Sequence, residues 1–338
     1  MMQVEKLKKN SLGSKMLIHS LFVFLIVIQF GSLELYAQKL STVRMTVETR
    51  YDNLDWGRER NRIQAALRTW LTVDLGKSYS LVTHLSSGSR FQSRWSTATN
   101  FDGKLDTEFM DLYVRQLFVQ LERGSWRYQL GVIPPIKNVA SRTGLEPSGW
   151  VDGARIVYKP KPTLSIETVV GGISRLNEPN AFTRKKTANF AELEINYDVN
   201  EELGVDASTE ILDKNTYQRL EFNYDKGRGF PTLLAEGMYN VTNGTWATGI
   251  SAQQDLNEFM RDRTNSGFRI RLYYAYIDEN IGLRGTLSDD FYAYGHSFTV
   301  EAEGPLWRKA QLNWFARQIF MSPSRTSIGI RTNIKFPP

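Results

Sequence analysis

Residues Met110 to Gly172 read MDLYVRQLFVQLERGSWRYQLGVIPPIKNVASRTGLEPSGWVDGARIVYKPKPTLSIETVVGG. Two extended segments meet across Arg123-Gly124-Ser125, and two more meet across Lys159-Pro160-Lys161-Pro162. Between the pairs lies a long Gly/Pro/Ser-rich excursion, Pro134 to Trp150. The order is tight turn, long loop, tight turn. Short turns at one end of a sheet and long loops at the other are the arrangement of a membrane-spanning β-barrel.

Outward from this stretch, the chain alternates with period two. Ile63, Ala65, Leu67, Leu71, Val73 and Leu75 share one face, opposed by Arg62, Gln64, Arg68, Thr72 and Asp74. Arg68 and Asp74 would interrupt a helical stripe, so the pattern is that of a strand. Val43–Tyr51, Ala191–Tyr197, Val205–Ile211, Leu220–Tyr224, Phe268–Tyr276 and Ile328–Phe336 behave alike. Asn243-Gly244 reads as a two-residue hairpin turn, and Ile281–Leu287 reads as a further strand. The strand Val114–Leu121 is the weakest in phase, because Arg115 falls on the apolar side. About 17 segments emerge. Single-chain bacterial barrels have even strand numbers, so the expectation is about 16 strands, within 14–18.

Composition agrees. The chain has 338 residues, with 41% hydrophobic and 12% aromatic content and no cysteine, and its mean hydropathy is −0.37. A polar average rich in aromatics suits strands that face lipid on one side and water on the other. Tyr51, Trp56, Tyr79, Trp126, Tyr158, Tyr197, Trp246, Tyr276 and Trp307 fall near strand ends, where the two membrane interfaces favour rings. The formal charge of +6 is mild, and no Lys/Arg block marks a nucleic-acid arm.

At the N-terminus, Lys6, Lys8, Lys9 and Lys15 precede the apolar run Met16–Phe30 and the small-residue end Leu35-Tyr36-Ala37. These features define a secretory signal peptide over 1–37, cleaved after Ala37. The run is short for a helix crossing about 30 Å of hydrocarbon. Residues 38–338 are expected to form one all-β domain: a single transmembrane antiparallel β-barrel with short periplasmic turns and longer extracellular loops.

Two stretches carry a family resemblance: VRQLFVQLERGSWRYQLG (Val114–Gly131) and TGLEPSGWVDGARIVYK (Thr143–Lys159). With the alternation around them, the chain resembles Gram-negative outer-membrane porins of the phosphate-selective and alginate-export-type group. The junction Tyr36-Ala37-Gln38 resembles that of exported Bacteroidetes proteins. The resemblance implies an outer-membrane channel with lipid, the barrel assembly machinery and small polar or anionic solutes as partners. It also admits a homotrimer. Such barrels usually end in an aromatic residue, whereas here Phe336 is followed by Pro337 and Pro338.

The face opposite the apolar one defines the candidate lumen. Its bases include Arg44, Arg62, Arg68, Arg127, Arg155, Arg269, Arg271, Arg317 and Arg331, the expected pore-lining residues. The acids concentrate from Glu167 to Glu221 and the bases towards both chain ends, so closure would set a basic wall against an acidic one. Rings of lumen charge and inward loops set selectivity in such channels. Lys137, Arg142 and Glu146, on the excursion Pro134–Trp150, are the constriction-loop candidates. Chemistry is poorly provided for. Beyond His19 the only histidines are His84 and His296, neither with an acid spaced to orient it, so no catalytic residue, cofactor or metal is expected. The reading is a porin for passive diffusion of small polar or anionic solutes. The alternative is a non-channel barrel that binds a ligand or partner through its loops.

Overall fold

Strands rich in β-branched and aromatic residues pair one after another along the chain. The computed structural model describes residues 39–55, 59–101, 110–135, 143–173, 176–227, 229–256, 267–287, 294–320 and 324–336. The chain divides into Met1–Gln38 and Lys39–Pro338. The first unit, with the expected signal peptide, lies outside the described residues, as do Trp56, Lys137, Arg142 and the final two prolines.

In chain order the strands are β1 (Lys39–Asp55), β2 (Glu59–Gly76), β3 (Tyr79–Ser86), β4 (Ser96–Asn100), β5 (Tyr113–Arg123) and β6 (Trp126–Ile133). Then come β7 (Val151–Lys161), β8 (Leu164–Gly172), β9 (Phe190–Asp198), β10 (Leu203–Leu212), β11 (Asn215–Tyr224) and β12 (Thr232–Asn240). The last are β13 (Thr245–Asp255), β14 (Arg269–Ile277), β15 (Gly295–Trp307), β16 (Leu312–Ile319) and β17 (Arg325–Phe336). All pairings are antiparallel, and β17 returns to β1 from Val43↔Phe336 to Leu54↔Arg325, closing the sheet. Closure removes the free edges that an open sheet would leave unpaired.

β3 and β4 share one place in the wall. Arg68–Gly76 of β2 pairs with β3, and Arg62–Ala65 pairs with β4. Between them the chain leaves the wall as a knuckle, Ser87–Trp95. The barrel thus has 16 wall positions, the even number expected. The seventeenth segment counted in the sequence is explained differently. Ile281–Leu287 is no strand: Leu283–Thr286 is a 3-10 turn, with Ile281, Arg284 and Leu287 all fully buried. Its alternating residues pack inside the barrel, and a short turn mimics period two when both of its sides are covered. The weak phase at Arg115 also has a cause. Pairing runs His84↔Gln116 and then Leu85↔Val114, so Arg115 is the unopposed residue of a β-bulge.

Both described chain ends lie at one end of the barrel, which also holds Lys77-Ser78, Gly124-Ser125 and Pro162-Thr163. Gly124 adopts φ +57° there, a backbone that favours glycine. Most long connections lie at the opposite end; the thirteen-residue connection 256–268 between β13 and β14 is at the turn end, a departure from the expected short periplasmic turns. Exceptions exist: Asp213-Lys214 closes β10 to β11 in two residues at the long-loop end. The connection at Asn243-Gly244 spans four residues, because Asn240 pairs with Thr245. The Asn240 side chain accepts from the backbone of Thr242 and Asn243, which stabilises the wider turn.

The outer surface is apolar. Leu130, Ile250, Ile328 and Val170 are more than half exposed. Rings sit in two belts: Tyr79, Trp126, Tyr197 and Trp307 towards the turn end, and Tyr51, Tyr239 and Trp246 towards the loop end. Trp126 stacks on Tyr158 at 4.2 Å, and Trp246 meets Tyr276 at 4.6 Å. The alternate residues point inward, and many of them are polar or charged.

Candidate functional site

The interior is divided. One side is formed by β13–β17 with β1 and β2. It borders a cavity of about 260 Å³, lined by Arg50, Arg94, Arg269, Arg271, Arg317 and Arg331 against Glu301 and Glu303. Register interleaves these charges. Arg271, Glu301 and Arg317 stand side by side on β14, β15 and β16. The Arg317–Glu301 pair measures 3.1 Å and Arg271–Glu301 3.9 Å. Arg269 meets Glu303 at 3.0 Å, and Arg331 lies 3.7 Å from it. Deeper in the wall, Glu48 collects Arg331 at 2.5 Å, Arg94 at 2.7 Å and Arg68 at 3.3 Å. Six arginines thus meet these three glutamates, Arg50 bonds Gln64 at 2.9 Å, and arginines outnumber glutamates six to two on the cavity lining.

Aromatic rings shape this surplus. Arg50 and Arg94 lie over the Trp95 ring at 4.2 and 5.2 Å, and Arg331 lies over Phe315 at 5.3 Å. Stacked guanidiniums keep their N–H edges available while their faces are covered. The Phe315 ring packs against Gly329. A Cβ at Gly329 would come within 2.5 Å of the ring and 2.2 Å of the Thr49 carbonyl oxygen.

The other side is filled. An apolar cluster joins interior-facing wall residues, including Phe118, Val169, Phe190, Leu212, Tyr217 and Met238, to Phe91, Leu145, Trp150, Ile281 and Leu287 from connecting segments. The knuckle Ser87–Trp95 is held by Arg115, which donates to the carbonyls of Ser93 (3.1 Å), Arg90 (2.5 Å) and Phe91 (2.9 Å). The bulge that spoils the phase of β5 is what frees Arg115 for this. Trp150 is fully buried between Arg115, at 5.0 Å, and Arg184, at 4.5 Å. Arg184 in turn makes a two-point pair with Asp152 at 2.8 and 2.9 Å.

Beneath this filling lies the acidic side, β9–β12. Glu194, Glu210, Glu221 and Glu236 are all under 5% exposed. Arg219 pairs with Glu221 and sits 3.8 Å from Glu194. Glu236 accepts from the Thr143 N–H (2.9 Å) and hydroxyl (2.6 Å), and from the Tyr273 hydroxyl.

The expected pore-lining residues all occupy the interior register, in different surroundings. Arg44 lies over Trp70 at 4.8 Å. Arg62 pairs with Asp52 at 2.7 Å, beside Arg325 at 2.9 Å. Arg127 pairs with Glu122 at 2.8 Å near the turn end, with both side chains about half exposed. Arg155 is 5% exposed; it pairs with Glu167 at 2.8 Å and donates to the Pro134 carbonyl at 2.7 Å. Arg269, Arg271, Arg317 and Arg331 converge on the cavity. Glu146 is 7% exposed and lies 3.8 Å from Arg94.

Sequence reasoning missed Arg94 and Trp95. They belong to a stretch without periodicity, and only the turn of the knuckle brings them to the cavity. His84 stacks on Trp70 at 4.5 Å, and His296 meets the Tyr274 hydroxyl at 2.6 Å on the outer face. Among the described residues no group of three or more His, Cys, Asp or Glu is placed to hold a metal ion.

No protein-family model matches the sequence, and no curated protein matches it. Solved structures do. Acinetobacter baumannii OccAB3 superposes with a TM-score of 0.54 at 13% identity, over 89% of this chain and 100% of that one. The outer membrane protein opdK of Pseudomonas aeruginosa gives 0.52 at 10%, over 88% and 100%. A mutant Rh. blastica porin gives 0.55 at 12%, over 88% and 100%. At these identities the likeness establishes a shared barrel fold.

Proposed function

We propose that the protein is an outer-membrane porin through which small polar solutes, anions preferentially, diffuse passively. One observation carries the reading: an apolar, ring-belted outer face encloses an interior with a cavity that has six arginines and two glutamates on its lining. The outer face matches the lipid-facing band of a transmembrane barrel. The cavity matches charge-based selection at a narrow passage. The barrel fold shared with solved outer-membrane proteins and porins supports it.

On this reading Arg44, Arg62, Arg68, Arg127, Arg269, Arg271, Arg317 and Arg331 line the aqueous path at different depths, while Arg155, buried against Glu167 and the Pro134 carbonyl, supports the wall instead. The signal peptide is removed after Ala37, and the turn end is periplasmic. The stretches Val114–Gly131 and Thr143–Lys159 favour the phosphate-selective and alginate-export-type group. A homotrimer is the proposed assembly, and no enzymatic activity is assigned.

Planar-bilayer recording tests the reading. Discrete conductance steps are expected, with a zero-current potential of anion-selective sign in a salt gradient. A second reading rests on the filled half of the interior, where Trp150, Arg284 and Leu287 are fully buried. It is a closed barrel that acts through its loops, and inserted protein without conductance steps would establish it.

A further inference from the structure

The segment Ile281–Leu287 lies inside the barrel, anchored to the wall and gripping the inward loop Thr143–Trp150. Its own anchors come first. The Ile281 carbonyl accepts from the Tyr217 hydroxyl and from Asn240, each at 3.1 Å. The grip is one guanidinium. Arg284 donates to Glu210 of β10 at 2.5 and 3.1 Å, and to the carbonyls of Thr143 at 2.5 Å and Gly144 at 3.4 Å. A further backbone bond joins Glu146 N–H to the Leu287 carbonyl at 2.9 Å. Thr143 itself is held from below, by Glu236 and by Arg219, which donates to its hydroxyl at 2.8 Å. Leu145, Ile281 and Leu287 seal the joint with apolar surface. The far side of the same loop carries Glu146 to within 3.8 Å of Arg94, at the edge of the basic cavity.

We infer that Arg284 is a positioning residue. Through Glu210 and the Thr143 and Gly144 carbonyls it latches the inward loop to the acidic wall, and this fixes how far Glu146 reaches towards the basic cavity. The inference rests on the channel reading for its effect on conduction, although the latch itself is independent of it. A planar, five-donor guanidinium can serve a carboxylate and two carbonyls at once, which an ammonium group cannot match. Because Arg284 and Glu210 are both fully buried, removing one alone would leave a bare charge. The test therefore neutralises both.

The chain has no cysteine, so a single introduced thiol reports cleanly. Leu145 is 4% exposed. In Leu145→Cys, a water-soluble maleimide should react slowly with folded protein in vesicles. In Leu145→Cys with Arg284→Met and Glu210→Gln, labelling should accelerate at least about tenfold. Heat-modifiable gel migration should still show a folded barrel. Without the thiol, the double variant should show a single-channel conductance changed by about half or more, with frequent sub-levels. Arg284→Lys keeps a cation for Glu210 and should fall between the two; it carries the test if the double variant fails to fold. Unchanged labelling overturns the latch. Faster labelling with unchanged conductance steps overturns the role of the loop in setting the passage. A barrel that never conducts, yet labels faster, retains the latch and removes only the channel reading.

Discussion

The two halves of the interior wall carry charges of the same kinds and put them to different use. Around β14–β17, arginines and glutamates stand in register and keep partial contact with water; Arg271 and Arg317 have side chains 30% exposed. Around β9–β12, Glu194, Glu210, Arg219 and Glu221 are sealed beneath inward segments. In the first half, pairs that keep contact with water leave a field that extends into the cavity. In the second, Glu194 and Glu221 are engaged by Arg219, while Glu210, Arg219 and Glu236 are attachment points for inward segments. The difference lies in what covers the wall, since the alternation of residues is the same in both. A charge near water acts over a few ångströms with little structural consequence, whereas a buried one must be neutralised locally or it destabilises the fold.

The sharpest way to break this contrast is to orphan a charge in the sealed half. Glu210→Leu leaves Arg284 buried without its counter-charge, and a loss of about 3–5 kcal/mol is expected. Urea unfolding in lipid vesicles, read by gel migration, measures it. The corresponding insult to the outer face is Ile250→Arg, a charge placed where the side chain is 61% exposed on the apolar belt. The same assay should show about 2–4 kcal/mol lost if the belt lies in lipid, and a loss under about 0.5 kcal/mol would argue against that placement.

In the open half the effects move from stability to selectivity. Arg271→Gln with Arg317→Gln removes both arginines flanking Glu301. Each unit charge about 4 Å from a passing ion in water is worth about 1 kcal/mol, so the anion-over-cation permeability ratio should fall roughly fivefold or more. Zero-current potentials measure this, with stability changed by less than about 1 kcal/mol. The smallest effect belongs to Arg127→Gln. Its pair with Glu122 is exposed on both sides, and less than about 1 kcal/mol of stability is expected to be lost, with a smaller change in permeability ratio than for Arg271 and Arg317.

Much of this was legible in the chain. The alternation of Ile63–Leu75, the turn at Gly124-Ser125 and the rings at strand ends lead to a closed antiparallel barrel. The interior register of the arginines follows from the same parity. Arg127 and Arg155, expected on the interior face, both point inward. Parity fails where the chain leaves the sheet. Ile281–Leu287 carries strand-like alternation yet forms a 3-10 turn. Arg94 and Trp95 sit in a stretch with no pattern at all.

The sequence by itself determined the wall: period-two alternation assigns each strand residue to lipid-like or interior surroundings, because the strand repeat admits only two faces. Tertiary structure alone decided which interior charges remain near water. That depends on contacts between segments far apart in the chain. Arg115 folds the knuckle that carries Arg94, and Arg284 ties Thr143 to Glu210. Such contacts depend on carbonyls and guanidiniums meeting in space, and no local spacing of residues encodes them.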